Sequence, residues 1–250
     1  MDTSSLRGKT ALVTGAARGL GAAFACVLAQ AGCNVIMTGR LTEMLEGTAE
    51  AIRLRYGEKP QTRLLDLAEV GEANRFGEEL AAALPKLDIL INNGAQWLEG
   101  GMDDYDAYAV NTTINSAATG TFLLTRKLVP ALVASGAGDI VNIVSTSGIQ
   151  DTPLQTASVP FYMAKHAQTA MSNGLRQELK GKPVRVHAIY PPYLHNITPF
   201  DDEQWKAQRA EGGPVTTRDV VEAALYALTR PRNVTAASIV LDAGEGGMWD

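Results

Sequence analysis

Tyr162 and Lys165 lie three residues apart in PFYMAKHAQ (160–168), and a phenol beside an ammonium can move a proton. A phenol titrates near pH 10 and works at neutral pH only where a neighbouring cation favours its phenolate. Spacing then decides where the hydroxyl goes. On a helix, side chains four apart are offset by about 40° on one face, and those three apart by about 60° the other way. Phe161, the residue four before Lys165, has no proton to give, and Tyr162 projects about 100° around the helix from it. The stretch predicts an acid–base site of unusual geometry.

A second chemical feature is TGAARGLG at 14–21, where the apolar run TALVT (10–14) meets the Ala/Leu-rich AAFACVLAQAG. Gly15, Gly19 and Gly21 at a strand-to-helix turn let the backbone bend tightly and approach a pyrophosphate, while the helix start offers unpaired N–H groups. Further strands are expected at NVIMTG (34–39), TRLLDL (62–67), LDILINN (87–93), DIVNIVS (139–145), PVRVHAIY (183–190) and ASIVLDA (237–243). Helical spacing runs over 41–57, 69–84, roughly 106–134, 161–180 and about 217–229. Seven strands alternating with helices predict an α/β fold: one Rossmann-type domain over 1–250, with a doubly wound parallel sheet and ligands beyond the strands' carboxyl ends.

Composition narrows the functions. Net charge is −5 with pI near 5.3, so no basic footprint for nucleic acid is present. Cys26 and Cys33 read as small buried side chains of a reducing compartment. His166, His187 and His195 have no metal-ligand spacing, so no metal is expected. The start MDTSSLRGKTALVTG lacks leader character and no apolar run reaches about 18 residues, so a cytoplasmic protein off the membrane is expected.

Taken in order, TGAARGLG, the aspartate of LLDL (64–67), NNGA (92–95), the serine of VNIVSTSG (141–148) and the lysine of FYMAK (161–165) resemble the short-chain dehydrogenase/reductase family. Its usual forms are TGxxxGxG, Asp followed by Val or Leu, NNAG, a serine after the fifth strand, and YxxxK. The likeness runs from about residue 8 to 244. It implies a pyrophosphate over Gly15, Arg18, Gly19, Leu20 and Gly21, an adenine against Asp66 and Leu67, and an adenosine side lined by Asn93, Gly94 and Ala95. Gly94 and Ala95 are exchanged relative to the usual order, and both are small.

Where an adenine dinucleotide has a free ribose, an acidic side chain usually waits about 20 residues after the turn. Here the second strand ends in TGR, and Arg40 with Arg18 would match a 2′-phosphate. NADP(H) is therefore expected over NAD(H).

The resemblance implies that Ser145 holds the substrate oxygen and that Lys165 tunes the tyrosine and bonds the cofactor ribose. It also implies an asparagine in the long central helix that holds a water. Asn115 is taken for that place, although ungapped counting gives Ala117, and a polar residue at a helix start is the other reading. Aligning Lys165 puts Phe161 where the tyrosine belongs. Three readings stay open: a longer loop over 146–160 carries Tyr162 into reach; the proton comes from water or from Tyr190, Tyr193 or His195; or the chain binds NADP(H) without redox chemistry.

IYPPYLHNIT (189–198) replaces the usual Pro-Gly after the sixth strand, and Pro192 has no N–H to donate. The segment 193–215 is the expected substrate loop, with Phe200 and Trp205 available to cover an apolar or aromatic small molecule. Asp201, Asp202 and Glu203 disfavour a polyanion. The resemblance further implies a homodimer or homotetramer built on long helices. The expected activity is NADP(H)-dependent reduction of a ketone or imine, or the reverse oxidation.

Overall fold

The computed structural model describes residues 2–154, 156–244 and 247. Within them, seven parallel strands run β1 Thr10–Val13, β2 Asn34–Gly39, β3 Gln61–Leu64, β4 Ile89–Asn92, β5 Gly138–Ile143, β6 Val184–Tyr190 and β7 Ser238–Val240. Their order across the sheet is β3-β2-β1-β4-β5-β6-β7. The chain winds outward in both directions from β1 and β4, which pair at Leu12↔Leu90. That switch point opens a crevice at the strands' carboxyl ends.

Central strands carry near-continuous apolar runs because both faces are covered. One face packs α1 (Gly19–Gln30), α2 (Thr42–Tyr56) and α8 (Thr217–Thr229), where Phe24 and Leu28 meet Val220 and Ala224 in one core. The other packs α3 (Val70–Ala83), α5 (Gly120–Ala134) and α6 (Val159–Glu178), where Leu80, Leu124, Leu128 and Leu175 are buried together. A short α7 (Asp202–Lys206) lies in the expected substrate loop.

Several expected elements differ at their ends, among them β7, which spans Ser238–Val240 where 237–243 was expected; three differences have a visible basis. The strand placed at 62–67 stops at Leu64, because Asp66 accepts from the Ala68 N–H at 2.9 Å and turns the chain. The helix placed at 161–180 begins two residues earlier, where Ser158 caps it by accepting from the Phe161 N–H. The helix placed at 106–134 is α4 (Ala107–Ile114), then a π-helical turn Asn115–Thr119, then α5. Gly120 closes that turn by donating its N–H to the Asn115 carbonyl, and a Cβ there would stand 1.9 Å from the Leu67 carbonyl oxygen, so only glycine lets the helix press against that loop. Such turns concentrate at functional sites.

At the opposite end of the sheet, Asp139 is fully buried among Arg185, His187 and Arg232. Arg185 also donates to the carbonyls of Arg230 and Val234 at 3.0 and 2.8 Å, tying the loop before β7 to the sheet.

Candidate active site and cofactor cleft

At the switch point, Thr14 and Asn93 lock the ends of β1 and β4 together. Thr14 Oγ1 accepts from the N–H groups of Asn93 and Gly94 at 3.0 and 2.9 Å, and the Asn93 amide donates to the carbonyls of Thr14 and Gly15. Space there is tight. Gly15 has φ +64°, and a Cβ on Gly21 would stand 2.1 Å from the Gly15 carbonyl oxygen. These glycines bring strand, turn and helix close enough for bare backbone to face a ligand.

Beside this turn lies a cleft of about 240 Å³ lined by Gly15, Arg18, Arg40, Asp66, Leu67, Asn93 and Gly94. With Ala95, which also lines it, eight of the residues expected to contact cofactor are thus in one place. Gly19, Leu20 and Gly21 form the start of α1 instead of the cleft wall, with the first two presenting the helix N-terminus. Met44, Leu65, Gln96 and Ser116 also line it and escaped sequence reasoning. Gln96 follows NNGA and accepts from Arg40 Nη1 at 3.4 Å, while its N–H reaches Ser116 Oγ. The apolar and small walls with two guanidiniums at the rim fit an adenosine bearing a phosphate.

The second group of residues lies beyond β5. Ser145 follows that strand, and its Oγ accepts from the Ser147 N–H at 3.1 Å, which leaves its own hydrogen available. Phe161 and Lys165 share one face of α6, with the Lys165 ammonium 5.5 Å from the Phe161 ring centre. Trp97, on the loop after β4, packs edge-on against Phe161 at 4.6 Å between centroids. Tyr162 turns away into 149–152, where its hydroxyl meets the Thr152 carbonyl at 2.9 Å and Thr152 Oγ1 at 3.2 Å.

Lys165 is only 4% exposed. Its ammonium donates to the Ile143 carbonyl at 3.1 Å and to Gln168 Oε1 at 2.8 Å. Burial pulls its pKa from 10.5 to about 7. Gln168 went unnoticed in the sequence because its place, one turn after Lys165, looks like an ordinary helix position. It joins a buried polar chain in which Asn92 donates to Asn142, Asn142 to Ser172, and Ser172 back to the Gln168 carbonyl.

The depressed lysine has a consequence for stability. Between pH 7 and 10.5 the unfolded chain holds a proton that the folded chain has released, so folding strengthens as pH rises across that window. The melting temperature of Lys165→Met relative to the parent should therefore be highest at pH 7 and below and fall toward pH 10.5, on top of a pH-independent loss from the unpaired Ile143 carbonyl and Gln168 Oε1. Thermal melts of the cofactor-free protein over pH check this; a difference that ignores pH would contradict it.

Asn115 opens the π turn and is half-buried, and its carbonyl accepts from the Gly120 N–H. Ala117, the ungapped position, is buried and offers no polar side-chain atom. Tyr190 is buried in β6, whereas Tyr193 and His195 are exposed. Pro191 holds the loop by accepting from the Thr146 N–H, and the His195 backbone pairs with Val215. In the substrate loop, Phe200 and Trp205 pack on the core beside α1 and α8, and Asp202 pairs with Arg55 of α2. Those aromatics hold the loop to the body.

Comparison with known proteins matches residues 9–209 to the family described as short chain dehydrogenase. The chain is 30% identical over 237 residues to an uncharacterized oxidoreductase of Staphylococcus saprophyticus, spanning 94% of this chain and 97% of that one. A solved structure provisionally assigned as an NAD(P) dependent gluconate 5-dehydrogenase from Beutenbergia cavernae, with bound NADP at low occupancy, is 27% identical. It superposes with a TM-score of 0.80 over 96% of this chain and 97% of that one. A metagenomic short-chain oxidoreductase in complex with NADP, 24% identical, shares the fold at a TM-score of 0.77 over 95% and 97% of the two chains.

Proposed function

Because the chain belongs to the short-chain dehydrogenase family, we propose that it is an NADP(H)-dependent oxidoreductase that reduces a ketone or imine, or runs the reverse oxidation, with an atypical acid–base apparatus. The observation that carries the cofactor half is the cleft at the switch point, where a tight glycine turn and two exposed guanidiniums face the same space. In this reading Arg18 and Arg40 hold a 2′-phosphate, the start of α1 holds the pyrophosphate, and Asp66, Leu67, Asn93 and Gly94 surround the adenosine. The nicotinamide, when bound, gives or takes a hydride. NADP bound to the Beutenbergia cavernae relative supports this choice of cofactor.

On the substrate side, Ser145 keeps a hydroxyl hydrogen for the substrate heteroatom, and Lys165 holds the ribose with the donor left after Ile143 and Gln168. Asn115 shapes the turn beneath. Tyr162 anchors the 149–152 turn in place of giving a proton, because its hydroxyl lies against the Thr152 carbonyl. Phe161 fills the acid's position. A cofactor-binding role without redox chemistry draws no support from the relatives, which are themselves oxidoreductases. Among the described residues no helix is long and apolar enough to cross a membrane. A homo-oligomer in the cytoplasm completes the proposal.

The test is a binding titration of NADPH and NADH followed by nicotinamide fluorescence. NADPH should bind more tightly, and Arg40→Ala should weaken it about tenfold to a hundredfold, as expected for one charge-assisted contact, while NADH changes little. Equal affinities in the parent protein would reject the NADP(H) assignment.

A further inference from the structure

The oxidoreductase reading, on which this inference rests, leaves one chemical problem: a reduced carbonyl becomes an alkoxide and needs a proton donor within hydrogen-bond reach. Phe161 stands where that donor is expected, and the phenol next to it is engaged by the Thr152 carbonyl at 2.9 Å. A positively charged C=N bond has no such need. Hydride forms the new C–H bond at carbon, the π pair withdraws to nitrogen and cancels its charge, reduced nicotinamide ends oxidised, and no proton moves.

The walls of the site favour the same class of molecule. Trp97 is 45% exposed and presents an aromatic surface beside Phe161. Its indole N–H donates to Glu99 Oε2 at 3.3 Å, which places a carboxylate at the ring and enriches its face in negative charge. The loop 97–106 carries Glu99, Asp103, Asp104 and Asp106 with no lysine or arginine, and the facing residues 149–154 and 156–158 add Asp151, again with no cation. A bridge between Glu99 and Ala157, and the Ser158 N–H on the Leu98 carbonyl at 3.1 Å, hold the two segments together. Asp104 and Asp106 are engaged by the N–H groups of Gly101 and Ala109, so Glu99 is the carboxylate placed at the indole. An exposed aromatic face with a carboxylate at its edge on an acidic loop draws cations and repels anions. Lys165, the cation behind the aromatic pair, is sealed from this mouth by burial and has its charge weakened near neutral pH.

The geometry points to a cationic nitrogen substrate, an iminium ion reduced to a tertiary amine or the amine oxidised in reverse, seated on Trp97 with Phe161 behind it. Neutral ketones of the same shape are poor substrates of the unaltered protein.

Two measurements on the full chain test this. With NADP⁺ bound, so that no reduction runs, calorimetry compares N,N-dimethyl tetrahydroisoquinolinium, a permanent cation, with neutral tetralone. The cation should bind at least about tenfold more tightly, and Trp97→Leu should erase the preference; Glu99→Gln, a milder change, should reduce it even if the tryptophan variant fails to fold. With NADPH, N-methyl dihydroisoquinolinium should be reduced and tetralone should not. Tetralone reduced as fast as the iminium, or equal binding of cation and ketone, overturns the inference and leaves the oxidoreductase reading standing. NADPH consumed with neither compound, in protein that binds NADPH, overturns both.

Discussion

Phe161→Tyr should raise the rate of ketone reduction by about 10²–10⁴-fold, the range that a positioned general acid supplies. The substitution adds one hydroxyl to a ring already set four residues before Lys165, with the ammonium 5.5 Å from the ring centre. The protonated form of Lys165 would favour the new phenolate and lower its pKa, and the phenolate would in turn help Lys165 keep its proton against the pull of burial. Ser145, after β5, keeps a hydroxyl hydrogen free for a substrate oxygen. The check is kcat/KM for NADPH oxidation with a panel of ketones, parent against variant. Unchanged activity in a variant that still binds NADPH would mean that more than the donor departs from the family pattern.

The second large effect lies at the far end of the sheet and concerns folding. Asp139→Asn should cost about 3–5 kcal/mol of stability, the usual loss when one partner of a buried ion pair is removed. The carboxylate is fully buried, and Arg185, 6% exposed, would be left with its charge inside the protein and without a counterion. Burial opposes ionisation of Asp139, yet hydrogen bonds from His187 and Arg185, with the charges of Arg185 and Arg232, hold its pKa below the usual carboxylate value of 3.8. A lowered folded pKa contributes stability that is present above the ordinary value and lost as pH falls through the folded one. The difference between parent and variant should therefore be full at neutral pH and shrink only in strong acid, below pH 3.8. Urea unfolding across pH measures it. A loss under about 1 kcal/mol at neutral pH would show the cluster to be replaceable by ordinary hydrogen bonds.

The fold was legible in the chain because its signals are local. β-branched runs such as NVIMTG and VRVHAIY, each followed by helical spacing, give the α/β alternation directly, and all seven strands stand where those runs are. The phosphate turn was legible for the same reason, since Gly15, Gly19 and Gly21 act on backbone within eight residues of one another. Strand ends were less so. Asp66 leaves β3 through a hydrogen bond to the Ala68 N–H, and the need for glycine at 120 shows only once the Leu67 carbonyl lies against it.

The site divides along the same line. Sequence by itself determined the family pattern, the arginines of the cleft and the displacement of tyrosine from its usual spacing to Lys165. Tertiary structure decided what that displacement does. It turned Tyr162 toward the Thr152 carbonyl, set Trp97 against Phe161 from 64 positions away, and gave Lys165 a partner in Gln168. Hydroxyl direction and burial depend on which loops meet beyond β4 and β5. That meeting is fixed by the packing of the whole sheet, and no spacing along one segment encodes it.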